Sequence, residues 1–206
     1  MNKAALPENW RRPLEYIGLS LREAKVRTVG ITSPCGASGV TMMSGALAAT
    51  YAGFGMKTLL IDISRSNAAT DPSQWPTARW TNEAIRADES GFDRLDNDFE
   101  LGDRSIFSNR ELLQARLKDD LGHYEAIVVD LPAVAQKSPQ HISPLAMAAA
   151  CDRVLLVCMT GKDNRDTVST AANLLTTTGA KIEGTVMNDF TSSVVVPVVR
   201  TNFPLR

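Results

Sequence analysis

The stretch "VRTVGITSPCGASGVTMMSGALAATYAGFGMKTLLIDIS", residues 26–64, constrains the fold more than any other part of the chain. It opens on VRTVGIT, β-branched and apolar, as a strand buried on both faces must be. A turn with Gly36 and Gly39 comes next, then an alanine-rich pattern over about 40–53 that predicts a helix, with Gly55 placed to end it. KTLLID reads as the next buried strand. Strand, helix, strand at this length is a right-handed crossover unit of a parallel sheet.

The rest of the chain repeats that alternation. NRELLQARLKDDL predicts an amphipathic helix with Leu112, Leu113, Leu117 and Leu121 on one side. YEAIVVDLP is a strand ending in Asp130, residues 142–150 read as a helix, and DRVLLVCM is a strand. Asp163 is expected to cap a helix over 164–178 that Gly179 closes, and KIEGTVMN is the last core strand. Ahead of the first strand, Leu14, Ile17 and Leu21 fall at helical spacing and predict a peripheral helix. The expected architecture is a three-layer α/β/α sandwich on a mostly parallel sheet. It forms one domain over 1–206, with an N-terminal helical segment (1–24), an irregular region (64–104) and a C-terminal tail (190–206). Within 64–104 a helix is expected at about 79–88 and the remainder as surface loop.

The 206 residues suffice for one sizeable core. Lysine plus arginine number 22 against 23 acidic residues, so no global charge draws the chain to nucleic acid or an anionic membrane. No apolar run approaches a membrane span, and the N-terminus has no apolar leader core. Cys35, Cys151 and Cys158 suggest no disulfide framework and hence a reducing, cytoplasmic setting. Cys151 and Cys158 read as core filling, and Cys35 as an incidental small residue near a helix start. His123 and His141 lack ligand spacing, so zinc is not expected.

Ligands of open α/β sheets bind at the carboxyl ends of strands. Three features fall there. In the turn SPCGASGVT, glycines let main-chain amides curl toward an anion at the start of a helix. Thr41 adds a hydroxyl, and Asp62 and Asp130 each end a strand. Carboxylates beside an anion cradle suit a metal–phosphate ligand. The plainer alternative is that Asp62 and Asp130 cap the segments after their strands and that Thr41 is satisfied locally. Trp75 and Trp80 read as a small cluster of the loop region, with a partner surface as the alternative.

In order and spacing these segments resemble the deviant P-loop NTPases of the ParA/MinD class, above all the cytoplasmic domain of bacterial tyrosine kinases. ITSPCGASGVTMMSGALAATYAGFGMKTLLIDIS is similar to that family's Walker A segment, helix and Walker A′ segment. FSNRELLQARLKDDLGHYEAIVVDLPAV is similar to its approach to Walker B, and CDRVLLVCMTGKDNRDTVSTAANLLTTTGAKIEGTVMND to its closing strand–helix–strand. The resemblance spans roughly residues 13–190. It implies a nucleotide site at Gly36, Ala37, Ser38, Gly39, Val40, Thr41 and Met42, with Asn188 facing the base. It also implies a magnesium site at Thr41, Asp62 and Asp130.

Departures from the family pattern decide the functional expectation. Val40 stands at the Walker A lysine, and no lysine lies earlier in the turn. Walker A′ keeps Asp62 but has Ser64 in place of its second carboxylate. The entry helix keeps Glu15 and Arg22 without the regular spacing used for ring assembly, and the tail TSSVVVPVVRTNFPLR has no tyrosine. A lysine there supplies charge-assisted hydrogen bonds to phosphate, and losing one such donor costs roughly 100- to 1,000-fold in rate. From position alone, Lys162 and Arg165 are candidates to compensate. No catalytic residue is therefore assigned.

The expected function is a catalytically degenerate regulatory or scaffolding partner in exopolysaccharide or capsule synthesis and export. Its cofactor is ATP or ADP with magnesium, or none. Its implied partner is an inner-membrane polysaccharide co-polymerase or chain-length regulator, with a homodimer left open and no nucleic acid or membrane insertion. The expected location is cytoplasmic, peripheral to the inner membrane through that partner. Two alternatives stand beside this reading. One is an active ATPase or tyrosine kinase using atypical residues. The other is a ParA/MinD-like positioning protein, although the tail offers only Arg200 and Arg206 as basic residues.

Overall fold

A computed structural model of the chain describes residues 8–64, 85–95, 109–135 and 144–189. The described residues form a seven-stranded sheet between two layers of helices. The strands are β1 (Thr28–Thr32), β2 (Thr58–Asp62), β3 (Ile85–Ala87), β4 (Asp93–Leu95), β5 (Ala126–Asp130), β6 (Arg153–Met159) and β7 (Ile182–Asn188). The helices are α1 (Glu8–Glu23), α2 (Val40–Gly53), α3 (Arg110–Asp119), α4 (Pro144–Ala150) and α5 (Arg165–Thr177). Sheet order is β3-β4-β2-β5-β1-β6-β7, and every pairing is parallel except β3 with β4. The α/β sandwich on a mostly parallel sheet is thus the observed architecture.

Side chains alternate across the central strands because successive residues of a strand face opposite ways. Val29, Ile31, Leu60, Val128, Leu155 and Val157 join α1 and α2 in one core. Leu59, Ile61, Ile127, Val129, Val154 and Leu156 join α3, α4 and α5 in the other. Burial on both faces explains why these strands read as unbroken apolar runs.

The first helix is more deeply seated than its sequence suggests. It begins upstream of Pro13, which lies inside it, and buries Trp10, Leu14, Ile17 and Leu21. Each such side chain contributes on the order of 1.5–3 kcal/mol by leaving water.

Four expectations are corrected. Ile85–Ala87, inside the helix expected at 79–88, is a strand, and its partner β4 lies in the segment expected as loop. Strands of three residues are too short to show a period, and pairing along β2 decides the matter. On α3, Leu113 and Leu117 are buried, with Leu121 just beyond, but Leu112 is exposed. Helix α5 is capped by Asn164, whose Oδ1 accepts from the Thr167 amide at 2.9 Å, not by Asp163. Trp75, Trp80, His141 and the tail fall outside the described residues. Among the described residues no helix is long and apolar enough to cross a membrane.

Candidate functional site

Central β1 sets the site. With β5 on one side and β6 on the other, the segment leaving β1 runs between the carboxyl ends of both neighbours. That segment, 33–39, enters α2 through Gly39 at φ 88°, and Ala37 also takes a left-handed φ of 60°. Left-handed residues of this kind are what a nest of main-chain amides for an anion requires. The Ser33 and Ser38 hydroxyls each donate to the Cys35 carbonyl, at 2.6 and 2.9 Å. Gly39 is required on two counts: its φ, and a Cβ there would lie 2.5 Å from Asn188 Nδ2.

Val40 is the first residue of α2 and only 8% exposed, packed in the α1–α2 core. Its side chain therefore serves the apolar layer. Thr41 and Met42, next in the chain, are exposed.

On the β5 side stand the two carboxylates. Asp62 and Asp130 are register partners on adjacent strands, and each is 1% exposed. Ser64 joins them: its hydroxyl lies 2.7 Å from Asp62 Oδ1 and 3.2 Å from Asp130 Oδ2, and 3.5 Å from the Thr41 hydroxyl. One hydroxyl proton thus serves several acceptors. Asp62 Oδ1 also accepts the Ser64 amide at 3.1 Å, so the local-capping reading of Asp62 is part of its role. Its Oδ2 accepts from Arg94 at 3.0 Å. Burial, and next the neighbouring Asp62 charge, push the Asp130 carboxyl up to about 7; hydrogen bonds from Thr41 and Ser64 and the Arg94 charge oppose the shift. Asp130 Oδ1 is buried with no hydrogen-bond partner among the described residues.

On the β6 side, the turn 160–164 is stitched to the loop. Asp163 Oδ2 accepts from the Met159 amide at 2.7 Å and lies 3.4 Å from the Ser38 hydroxyl. Lys162 Nζ donates to the Gly36 carbonyl. Arg165 is exposed at the start of α5. Buried Asn188, ending β7, donates from Nδ2 to the Ser38 carbonyl at 3.0 Å. In this structure it holds the loop, a contact distinct from the base-facing one the resemblance implies.

The structure thus brings Gly36, Ala37, Ser38, Gly39, Thr41, Asp62, Asp130 and Asn188 to the carboxyl end of the sheet. Sequence reasoning missed Arg94 and the loop-facing role of Asp163. Arg94 sits in a three-residue strand with no periodic signal, and Asp163 lies where a helix cap is the ordinary reading.

A magnesium ion fits this donor set in part. The Thr41 hydroxyl and the unpartnered Asp130 Oδ1 are hard oxygen donors of the kind it takes. Both Asp62 oxygens are already engaged by Ser64 and Arg94. Among the described residues no group of three or more His, Cys, Asp or Glu is arranged to hold a metal, so phosphate oxygens and water would supply the remaining ligands.

No protein-family model matches the chain. It is similar to a Staphylococcus aureus protein named "Putative tyrosine-protein kinase CapB", 28% identical over 198 residues, covering 90% of this chain and 85% of the relative. Among solved structures, the kinase domain of the Escherichia coli tyrosine kinase ETK superposes with a TM-score of 0.71 at 21% identity. That match covers 90% of this chain and 78% of the other. The septum site-determining protein MinD from Pyrococcus horikoshii, complexed with Mg-ADP, superposes with a TM-score of 0.60 at 20% identity. It covers 83% of this chain and 74% of the other. In fold the chain is similar to the ETK kinase domain and to MinD, and in sequence it is similar to a protein named as a putative tyrosine kinase.

Proposed function

We propose that the chain is a catalytically degenerate relative of these kinase domains that keeps a phosphate-binding loop without its transfer chemistry. It works as a regulatory or scaffolding partner in capsule or exopolysaccharide synthesis and export. What carries this reading is Val40. At the family's lysine position stands a side chain 8% exposed and committed to the core. Ser64 supports it, because a hydroxyl shared between two carboxylates is no substitute for a carboxylate that orients or deprotonates a nucleophile.

In this reading a nucleotide sits on Gly36 to Met42, with magnesium at Thr41 and Asp130, and alters the shape of the surface offered to a partner. That partner, by analogy, is an inner-membrane co-polymerase or chain-length regulator, which places the chain in the cytoplasm at the membrane face.

Purified chain should neither hydrolyse ATP nor phosphorylate a tyrosine substrate with magnesium present, and an inner-membrane polysaccharide co-polymerase of the same cell should co-purify with it. ATP turnover that is lost on Asp130→Asn would instead establish the active-enzyme alternative, which the Lys162 contact with the loop favours.

A further inference from the structure

We infer that Lys162, in the β6–α5 turn, is the cation with which the loop holds a phosphate group, taking the place of the absent helix-borne lysine. The inference rests on the proposal that the loop still accepts a polyphosphate, and it names the side chain that makes this tenable.

A nest of amides at a helix start attracts anions, but two nearby carboxylates oppose them. Asp130 borders the loop beside Thr41, and Asp163 approaches the Ser38 hydroxyl at 3.4 Å. A mobile cation is needed on the loop itself. Arg94 is engaged at Asp62, and Arg165 lies at the exposed start of α5. Lys162 already touches the loop, with Nζ on the Gly36 carbonyl.

Its backbone is fixed from three sides. The Thr160 amide donates to the Asn188 carbonyl at 2.9 Å, and the Lys162 amide to the Met159 carbonyl at 3.2 Å. Gly161 makes the reversal at φ 78°, and Asp163 ties the turn to the Met159 amide. The ammonium can therefore exchange partners while the turn stays in place. Among the described residues, its ammonium meets only a carbonyl dipole in the resting loop. An incoming phosphate offers a full negative charge, and charge-assisted hydrogen bonds are roughly twice as strong as neutral ones. The buried Asp130 Oδ1, without a partner among the described residues, leaves room nearby for a proton or for the magnesium ion that accompanies a polyphosphate.

Calorimetric titration of the full chain with inorganic pyrophosphate and with ADP, each with magnesium and with EDTA, tests the inference. Replacing Lys162→Met should weaken both ligands by the same factor, about tenfold or more, because both lose the same contact. Lys162→Arg should stay close to wild type, and adding Val40→Lys to Lys162→Met should restore part of the loss. In the wild type, modification of Lys162 by an amine-reactive reagent should slow when pyrophosphate is added, a readout that needs no variant to fold. Equal binding by wild type and Lys162→Met, or unchanged Lys162 reactivity, would overturn the inference while leaving the degenerate-kinase reading intact. A wild type that binds neither ligand would overturn the inference together with the proposal that the loop accepts a polyphosphate. ATP turnover by the wild type would overturn that reading's loss of chemistry and leave the role of Lys162 standing.

Discussion

The side-chain amide of Asn188 donates to the main-chain carbonyl of Ser38 at 3.0 Å, across 150 residues of sequence. The last strand of the sheet thereby fixes the loop that leaves the central strand. The contact is possible only because residue 39 has no side chain, since a Cβ there would lie 2.5 Å from the same amide nitrogen.

Gly39→Ala should therefore destabilise the fold by about 1–3 kcal/mol, from the left-handed φ and the clash together. Urea unfolding of Gly39→Ala, Asn188→Ala and the double variant separates the two costs. The double variant should recover the clash component and keep the φ component, so the single effects should fail to add.

Arg94 is the counter-charge of buried Asp62. Arg94→Ala removes that counter-charge and should cost roughly 3 kcal/mol. The same change removes a cationic competitor from Asp62 Oδ2. Magnesium should accordingly raise the thermal midpoint of Arg94→Ala more than that of the wild type, and equal shifts would argue that Asp62 lies outside any metal site.

Asp130 predicts an unusual pH dependence. Its carboxyl is raised to about 7 in the fold, against 3.8 in the unfolded chain, chiefly by burial. The folded state then holds the proton more tightly, so this group's contribution to stability is present at low pH and declines as pH rises from about 4 to about 7. Above that window the full penalty remains. Stability of the wild type minus that of Asp130→Asn, measured in EDTA across this range, should fall with increasing pH; a flat difference would place the carboxylate in a more solvated setting.

Arg27 closes the far end of the molecule from the site. Its guanidinium donates to the carbonyls of Leu117 at 2.8 Å, Leu121 at 2.7 Å and Tyr124 at 3.0 Å, satisfying the last turn of α3 and the segment beyond it. Arg27→Ala should lower stability by about 2–3 kcal/mol, and Arg27→Lys should recover only part, because an ammonium cannot match a planar fork across three acceptors. Calorimetric unfolding reads both, and neither variant should alter ligand binding at the loop.

Legibility in the sequence depends on the length scale of the signal. Helix α2 and the buried strands announce themselves because each carries its pattern over several residues, and α2, β2 and β5 end on a glycine or an aspartate in a telling place. Asp62 and Asp130 were legible because strand ends are recognisable, and register then puts them side by side. The β3–β4 hairpin was not, because its three-residue strands exist only by pairing with β2. Arg94 was hidden with it. Val40 stands out in the sequence where the resemblance implies a lysine, but only packing shows that it belongs to the core. Lys162 and Arg165 were equivalent candidates by position; the turn at Gly161 separates them by directing one onto the loop.

The burial of Val40 also bears on how the chain can change from here. Valine and lysine codons differ in both their first and second letters, so a stepwise change to lysine must pass through another residue. One route runs through isoleucine or methionine, which preserve the apolar contact and hold any further change against the core. The other runs through glutamate, which would confront an incoming phosphate with a negative charge. Neither intermediate carries an ammonium, so no partial gain in chemistry rewards the first step. A lineage in this state would drift among apolar residues at the position, and innovation in the loop would have to come from its neighbours.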